Sequence, residues 1–436
     1  MTKKLLSKVV ACTLAAAMVF SMAGCGSSNE EDTQKADSNT DTASDADNNA
    51  DAVKDVKIGM ILIGDENEGY TFAHIDGAKK AAQELGIGED QIIWKYTVDE
   101  SAKAYDAAAD LVDAGCKLVI SNSYGHQSYM QQAAAEFPDV KFVAMTGDTA
   151  NQVKMDNFSN AFTKIFESRY VSGVVAGMKL AELDKDGKIA DKSKDSDGNI
   201  KIGYVGAYPY AEVVSGYTAF YLGVKSVIEN VVMEVQYTNS WFDITAEGEA
   251  AKALMSDGCV IIGQHADSTG APSAAQEVHE SGEEVYSVGY NVDMLNVAPD
   301  AALTSATNNW SVYYKYAFEC LINGEKIDTD WAKGYSDDAV AITELGSACP
   351  EGTDAKVAEV EAALKDGSLH VFDTSKFTVD GKQLDSYHVD LNGDFACDDD
   401  NPDAEAIKDG YFHESELRAA PSFDIRIDGI KELNAK

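Results

Sequence analysis

The sequence predicts an α/β chain folded as two facing lobes, each a parallel sheet with helices on both faces. Two observations carry that prediction. Short β-branched apolar runs alternate with helical patterns, the signature of parallel sheets buried on both sides. The alternation also occurs twice, because "VKIGMILIG" from Val56 is echoed by "IKIGYVGAY" from Ile200, and "GYTFAHIDGAKKA" from Gly69 by "GYTAFYLGVKSV" from Gly216. "LVDAGCKLVIS" from Leu111 likewise pairs with "LMSDGCVIIGQ" from Leu254, and "VKFVAMTG" from Val140 with "EEVYSVGY" from Glu283. Every partner lies about 144 residues further on, so the body is a duplicated unit.

The chain opens with Lys3, Lys4 and Lys8, then an apolar stretch from Val9 to Phe20 and "SMAGCG". A basic start followed by a short apolar run describes a secretory signal, too short to span a bilayer well. Small residues before Cys25 form a lipobox, so residues 1–24 are expected to be removed and the Cys25 thiol acylated. Residues 25–55 are rich in Ser, Asn, Asp and Thr and carry too little apolar surface to fold, which makes a tether of ~30 residues. Lobe I is expected over 56–158 plus about 300–332. Lobe II takes 159–299 plus about 333–436, including a C-terminal extension.

In the first copy, strands are expected at Val56–Ile63, Gln91–Tyr96, Leu118–Ser121 and Lys141–Met145. Helices fall between them near Ala73–Leu85, Ser101–Ala114 and Ser128–Glu136. Ligands of such sheets bind outside the carboxyl ends of the strands. Two copies facing each other therefore define a cleft, and the strand-end turns supply its candidate residues. The first copy offers Tyr70, Phe72, Ser123 and Tyr124. The second offers Tyr208, Glu212, Trp241, Phe242, Asp243, Gln264, His265, Asp267, Tyr290, Asn291 and Asp293, and "TNNW" adds Asn309 and Trp310. The repeat is a control for Trp241 and Phe242: their counterparts are Val98 and Asp99, so the fold does not require aromatics there. Nearly every turn joins an aromatic to a hydrogen-bonding side chain. Flat heteroaromatic ligands and sugars both use that combination.

Of the 436 residues, 35 are basic and 74 acidic, giving a net charge of −39. Such a field repels nucleic acid, anionic lipid and phosphorylated substrates, leaving a neutral or cationic small molecule as the natural partner. Seven cysteines without a C-x-x-C pair suggest neither a zinc site nor a disulfide framework, though one disulfide stays open among Cys116, Cys259, Cys320, Cys349 and Cys397. Cys116 and Cys259 sit at matching turns of different lobes and are read as structural thiols. "DKDGK" at Asp184 and "DLNGDFACDDDNPD" at Asp390 hold parts of a calcium loop without completing one, so no metal or other cofactor is expected. There is no G-x-S-x-G elbow, H-E-x-x-H or phosphate-binding glycine loop, which argues against an enzyme.

The motifs "LVISNSYGH", "FPDVKFVAMTG", "RYVSGVVAGM", "IGYVGAYPYAEV", "NSWFD", "GQHADS", "VGYNVDM" and "TNNW" run in order between Val56 and Leu345. In that order they resemble the basic membrane protein family, the substrate-binding lipoproteins of bacterial ABC importers related to purine nucleoside receptors. The resemblance implies two type I periplasmic-binding lobes and a purine-type ligand, a base such as adenine or a nucleoside, passed to an ABC permease. It also implies that Tyr70 stacks on one face of the base and Trp241 or Phe242 on the other, with Asp243, Asp267, Asn291 and Asp293 as polar contacts. The sequence departs from the family at "YPYAEV" and at Asn291, where an aspartate is commoner; losing that carboxylate favours a base or another non-ribosyl ligand. A sugar or autoinducer receptor on the same fold, a nucleoside hydrolase and a membrane-tethered sensor are the alternatives. The expected location is the outer face of the cell membrane, held by lipid alone.

Overall fold

The computed structural model describes residues 53–391 and 404–435. The signal, Cys25, most of the tether, Cys397 and nearly all of the acidic run from Asp390 lie outside the described residues.

One sheet has the strand order β11-β5-β4-β3-β1-β2, all parallel. Its strands are β1 (Ile58–Ile61), β2 (Ile92–Lys95), β3 (Leu118–Ser121), β4 (Lys141–Met145), β5 (Phe158–Thr163) and β11 (Asp330–Lys333). The other has the order β12-β10-β9-β8-β6-β7-β15. It is built from β6 (Ile200–Gly206), β7 (Val231–Tyr237), β8 (Ile261–Gln264), β9 (Tyr286–Tyr290), β10 (Ala302–Asn308), β12 (Val340–Ile342) and β15 (Ile430–Glu432). Only β12 runs antiparallel among its described pairings. Five neighbouring strands are ordered 2-1-3-4-5 in one sheet and 7-6-8-9-10 in the other, which is the internal repeat seen as topology.

Alternation along the strands feeds two cores per lobe. Leu118 and Ile120 face one core and Val119 the other. In lobe I, α1 (Gly69–Leu85) and α9 (Trp310–Ile322) cover one face, and α2 (Ala102–Asp113) and α3 (Gln127–Glu136) the other; α4 (Ala150–Val153) is a single turn. Lobe II holds α5 (Ile165–Lys185), α6 (Ala211–Lys225), α7 (Ile244–Ser256), α8 (Gly270–Glu280) and α10 (Thr353–Lys365). Helices α5 and α6 touch backbone to backbone: a Cβ added at Gly173 would lie 2.1 Å from the Phe220 carbonyl oxygen. Only glycine permits that approach.

The chain passes between lobes three times: after β5, after β10 and between β11 and β12. This corrects the expected boundaries near 159 and 300. Residues 302–308 pair in parallel with β9 and so belong to lobe II, and Phe158–Thr163 pairs with β4 and so belongs to lobe I. The C-terminal segment packs on lobe II, with β15 alongside β7 and Phe372, Phe377, Phe412 and Phe423 in the same core as α5 and α6. It includes the short hairpin β13 (Ile407–Lys408) and β14 (Tyr411–Phe412). The four described cysteines are free. Among the described residues no helix is long and apolar enough to cross a membrane.

Candidate functional site

A cavity of about 470 Å³ lies between the lobes, and its lining comes from strand ends of both. From lobe I come Gly64 and Glu68 after β1, Glu100 after β2, Asn122, Ser123 and Tyr124 after β3, and Thr146 after β4. Lobe II contributes Tyr208 and Glu212 after β6, Trp241 and Phe242 after β7, Asp267 after β8 and Tyr290 at the end of β9. The lobes meet at its edge: a Cβ added at Gly69 would sit 3.4 Å from both the Asp267 carbonyl oxygen and Val292.

Each wall has an internal reason for its geometry. Glu68 caps α1 by accepting hydrogen bonds from the Tyr70 and Thr71 amides, both at 2.9 Å, and burial raises its carboxyl above the ordinary range. The Tyr70 hydroxyl donates to the Asn122 carbonyl, and its ring meets His74 edge-on at 4.5 Å. Glu100 accepts from the Ser123 hydroxyl at 2.6 Å and from the Gly125 amide at 2.8 Å. Opposite, Trp241 packs edge-on against Tyr208 at 5.3 Å, and Tyr208 stacks on Tyr210 at 5.1 Å.

The charged groups of lobe II form a layered set. Burial pushes Glu212 up to about 7, with the Arg169 charge acting against it. His265, buried behind Glu212, is held neutral by burial and secondarily by Arg169, and its Nε2 lies 3.2 Å from the Glu212 carboxyl, within hydrogen-bond reach. The Arg169 guanidinium lies 3.6 Å from the Tyr290 ring centroid and donates to the Gln264 carbonyl at 2.5 Å. Burial, reinforced by Glu68, Glu247 and Glu212, raises Asp267 well above the carboxylate range. The Asn291 amide holds its carboxyl at 2.7 Å.

Tyr70, Ser123, Tyr124, Tyr208, Glu212, Trp241, Phe242, Asp267 and Tyr290 line the cavity. The other sequence candidates do not. Asp243 is the N-cap of α7, accepting from the Thr245 amide at 3.1 Å and the Ala246 amide at 2.9 Å. Asp293 accepts from the Leu295 amide in the same way, at 2.8 Å. Gln264 turns its amide to the Ala266 and Ser268 carbonyls, and Asn291 and His265 stand one layer behind Asp267 and Glu212. Phe72 is exposed on α1. Asn309 bonds the Asp338 carbonyl at a crossover, and Trp310, 1 % exposed, stacks on His74 at 4.4 Å inside lobe I. The sequence candidates omit Glu68, Glu100, Asn122 and Thr146. The repeat carried a signal for one of these, since Glu100 is the counterpart of Asp243.

Two α/β lobes closed over a cavity at their strand ends define a solute-binding protein. The chain belongs to the family described as "ABC transporter substrate-binding protein PnrA-like", whose model matches residues 56–365. A purine-binding protein of Brucella abortus (strain 2308) is 33% identical over 319 residues, covering 73% of this chain and 83% of that one. A Haloferax volcanii protein, provisionally named an ABC transporter glucose-binding protein, is 28% identical over 314 residues, 71% of this chain and 72% of its own. Among solved structures, an ABC transporter solute-binding protein from Aeropyrum pernix K1 matches with a TM-score of 0.59 at 15% identity, covering 73% of this chain and 93% of that one. The chain is thus an extracytoplasmic binding protein of the ABC-transporter class and not an enzyme.

Proposed function

We propose that the protein captures a purine-type ligand, a base such as adenine or a nucleoside, between its lobes and delivers it to an ABC permease while tethered to the membrane through lipid on Cys25. The observation that carries this reading is the composition of the cavity wall. Six aromatics (Tyr70, Tyr124, Tyr208, Trp241, Phe242 and Tyr290) and five carboxylates (Asp65, Glu68, Glu100, Glu212 and Asp267) face one space, and no lysine or arginine among the described residues lines it. Such a wall suits a flat ligand whose edge is rich in N–H donors and which carries no negative charge. The name of the Brucella relative points the same way.

Capture follows from differential contact: a ligand touching both lobes binds the closed arrangement better than the open one and shifts the population toward it. Asn291 uses its amide on Asp267 and accepts from Asn308 at 3.2 Å, so position 291 orients a neighbour and does not itself grip ribose hydroxyls. This favours a base over a nucleoside.

A sugar is the second reading, because carboxylates and aromatics also hold sugars and the Haloferax relative is named for glucose. Calorimetric titration of the purified protein with adenine, adenosine and glucose decides between them. Saturable heat with a purine and none with glucose is expected; the reverse overturns the assignment.

A further inference from the structure

The family match ends at residue 365, so the segment beyond it has no role assigned by kinship. Most of that segment is part of lobe II. Phe372 stacks on Phe423 at 4.2 Å and meets Phe166 of α5 at 5.5 Å, and β15 extends the lobe II sheet. At one place it crosses to the other lobe. The Arg418 guanidinium lies 3.5 Å from the Asp148 carboxylate, on side chains only 13% and 18% exposed, and the next residue, Ala419, donates its amide to Asp330 of β11 at 2.9 Å. Both acceptors belong to lobe I. Arg418 is fixed from its own side by the Asp390 and Pro421 carbonyls, both at 3.1 Å.

Asp148 connects this bridge to the cavity. Its carboxylate accepts from the Tyr124 hydroxyl at 3.2 Å and from the Gln127 amide at 2.9 Å, and Tyr124 lines the ligand space. We infer that the C-terminal segment is a strap between the lobes and that Arg418 is a positioning residue for ligand capture, acting through Asp148 on Tyr124. Separation of the lobes at this edge breaks the Arg418–Asp148 pair and the Ala419–Asp330 hydrogen bond together, so the strap favours the closed arrangement and the ligand need supply less of the closing free energy. The proposal rests on the reading of the cleft as a ligand site, but not on which ligand fills it.

The test uses Arg418→Gln, Asp148→Asn and the double variant in the full chain, with spin labels on cysteines introduced at Lys79 of lobe I and Glu249 of lobe II, both exposed. Each single variant is expected to shift the ligand-free distance distribution toward longer separations and to weaken ligand binding by about five- to tenfold. The double variant should do no more than either single one, because both remove the same pair. Wild-type distances together with affinity within about twofold of wild type, even if the melting temperature drops, overturn the proposal and leave Arg418 a purely structural residue. The distances are read without ligand, so failure of adenine to bind the wild type would refute the purine assignment while the strap is still decided.

Discussion

Replacing Glu212 with glutamine tests whether the buried carboxylates of the cleft meet the ligand. Glu212 lines the cavity, is held near 7 by burial, and is hydrogen-bonded to neutral His265. In the empty cleft it is therefore mostly protonated at about pH 6 and ionised at about pH 8. A ligand that donates N–H groups to it stabilises the carboxylate and lowers its pKa, so binding releases a proton wherever the free group is protonated. Affinity then rises with pH and levels off above about 7. Between about pH 6 and pH 8 the gain is at most one unit in log affinity, or about tenfold, worth about 1.4 kcal/mol. The side chain keeps 22% of its surface open, so solvent moderates the effect.

Ligand-free stability moves oppositely. A carboxyl raised in the folded state contributes stability that is present below about 4.5 and lost as pH rises through about 7. The assay is calorimetry across that window in buffers of different ionisation enthalpy, which counts protons released, alongside melting of the empty protein. Wild type should tighten with pH, and Glu212→Gln should bind with a shallower profile. A flat wild-type profile, or the same slope in the variant, would mean that Glu212 does not meet the ligand.

Three further outcomes follow from the geometry. Trp241→Ala removes a face of the cavity and should weaken binding by about ten- to a hundredfold with little change in melting temperature; titration with the cognate ligand checks this, and a change under about twofold contradicts it. Asn291→Leu leaves the Asp267 carboxyl without its amide donor and interrupts the link to Asn308, so chemical denaturation should report a loss of about 1–3 kcal/mol. Cys25→Ser should release the protein from membranes into the soluble fraction after cell lysis; continued partition with membranes would mean that something other than lipid on Cys25 anchors it.

The repeat made the architecture legible, because short apolar runs at a fixed spacing specify paired parallel sheets. It also singled out Trp241 and Phe242, which line the cavity. What it could not supply was which polar side chain at a strand end faces inward. Asp243 and Asp293 stand beside cleft residues in sequence, yet backbone amides of the following turn capture both carboxylates, the usual fate of aspartate at the start of a helix or turn. Glu68 caps α1 in the same manner and still lines the cavity. The distinction is set by how each helix enters the cleft, which spacing does not encode. Trp310 misled for another reason. It follows β10 at the crossover that matches the one after β5, where the chain leaves lobe II and α9 packs on α1, carrying the indole onto His74. Lobe assignment around 300 was displaced by the same crossover. The C-terminal strap was illegible because its lobe I partners, Asp148 and Asp330, are about 270 and 90 residues away in sequence.

Denaturing the purified protein and identifying the small molecules it releases by mass spectrometry reads the ligand without choosing one in advance. A purine base or nucleoside is expected in amounts comparable to the protein. A hexose released in its place, with no purine, would contradict the purine assignment.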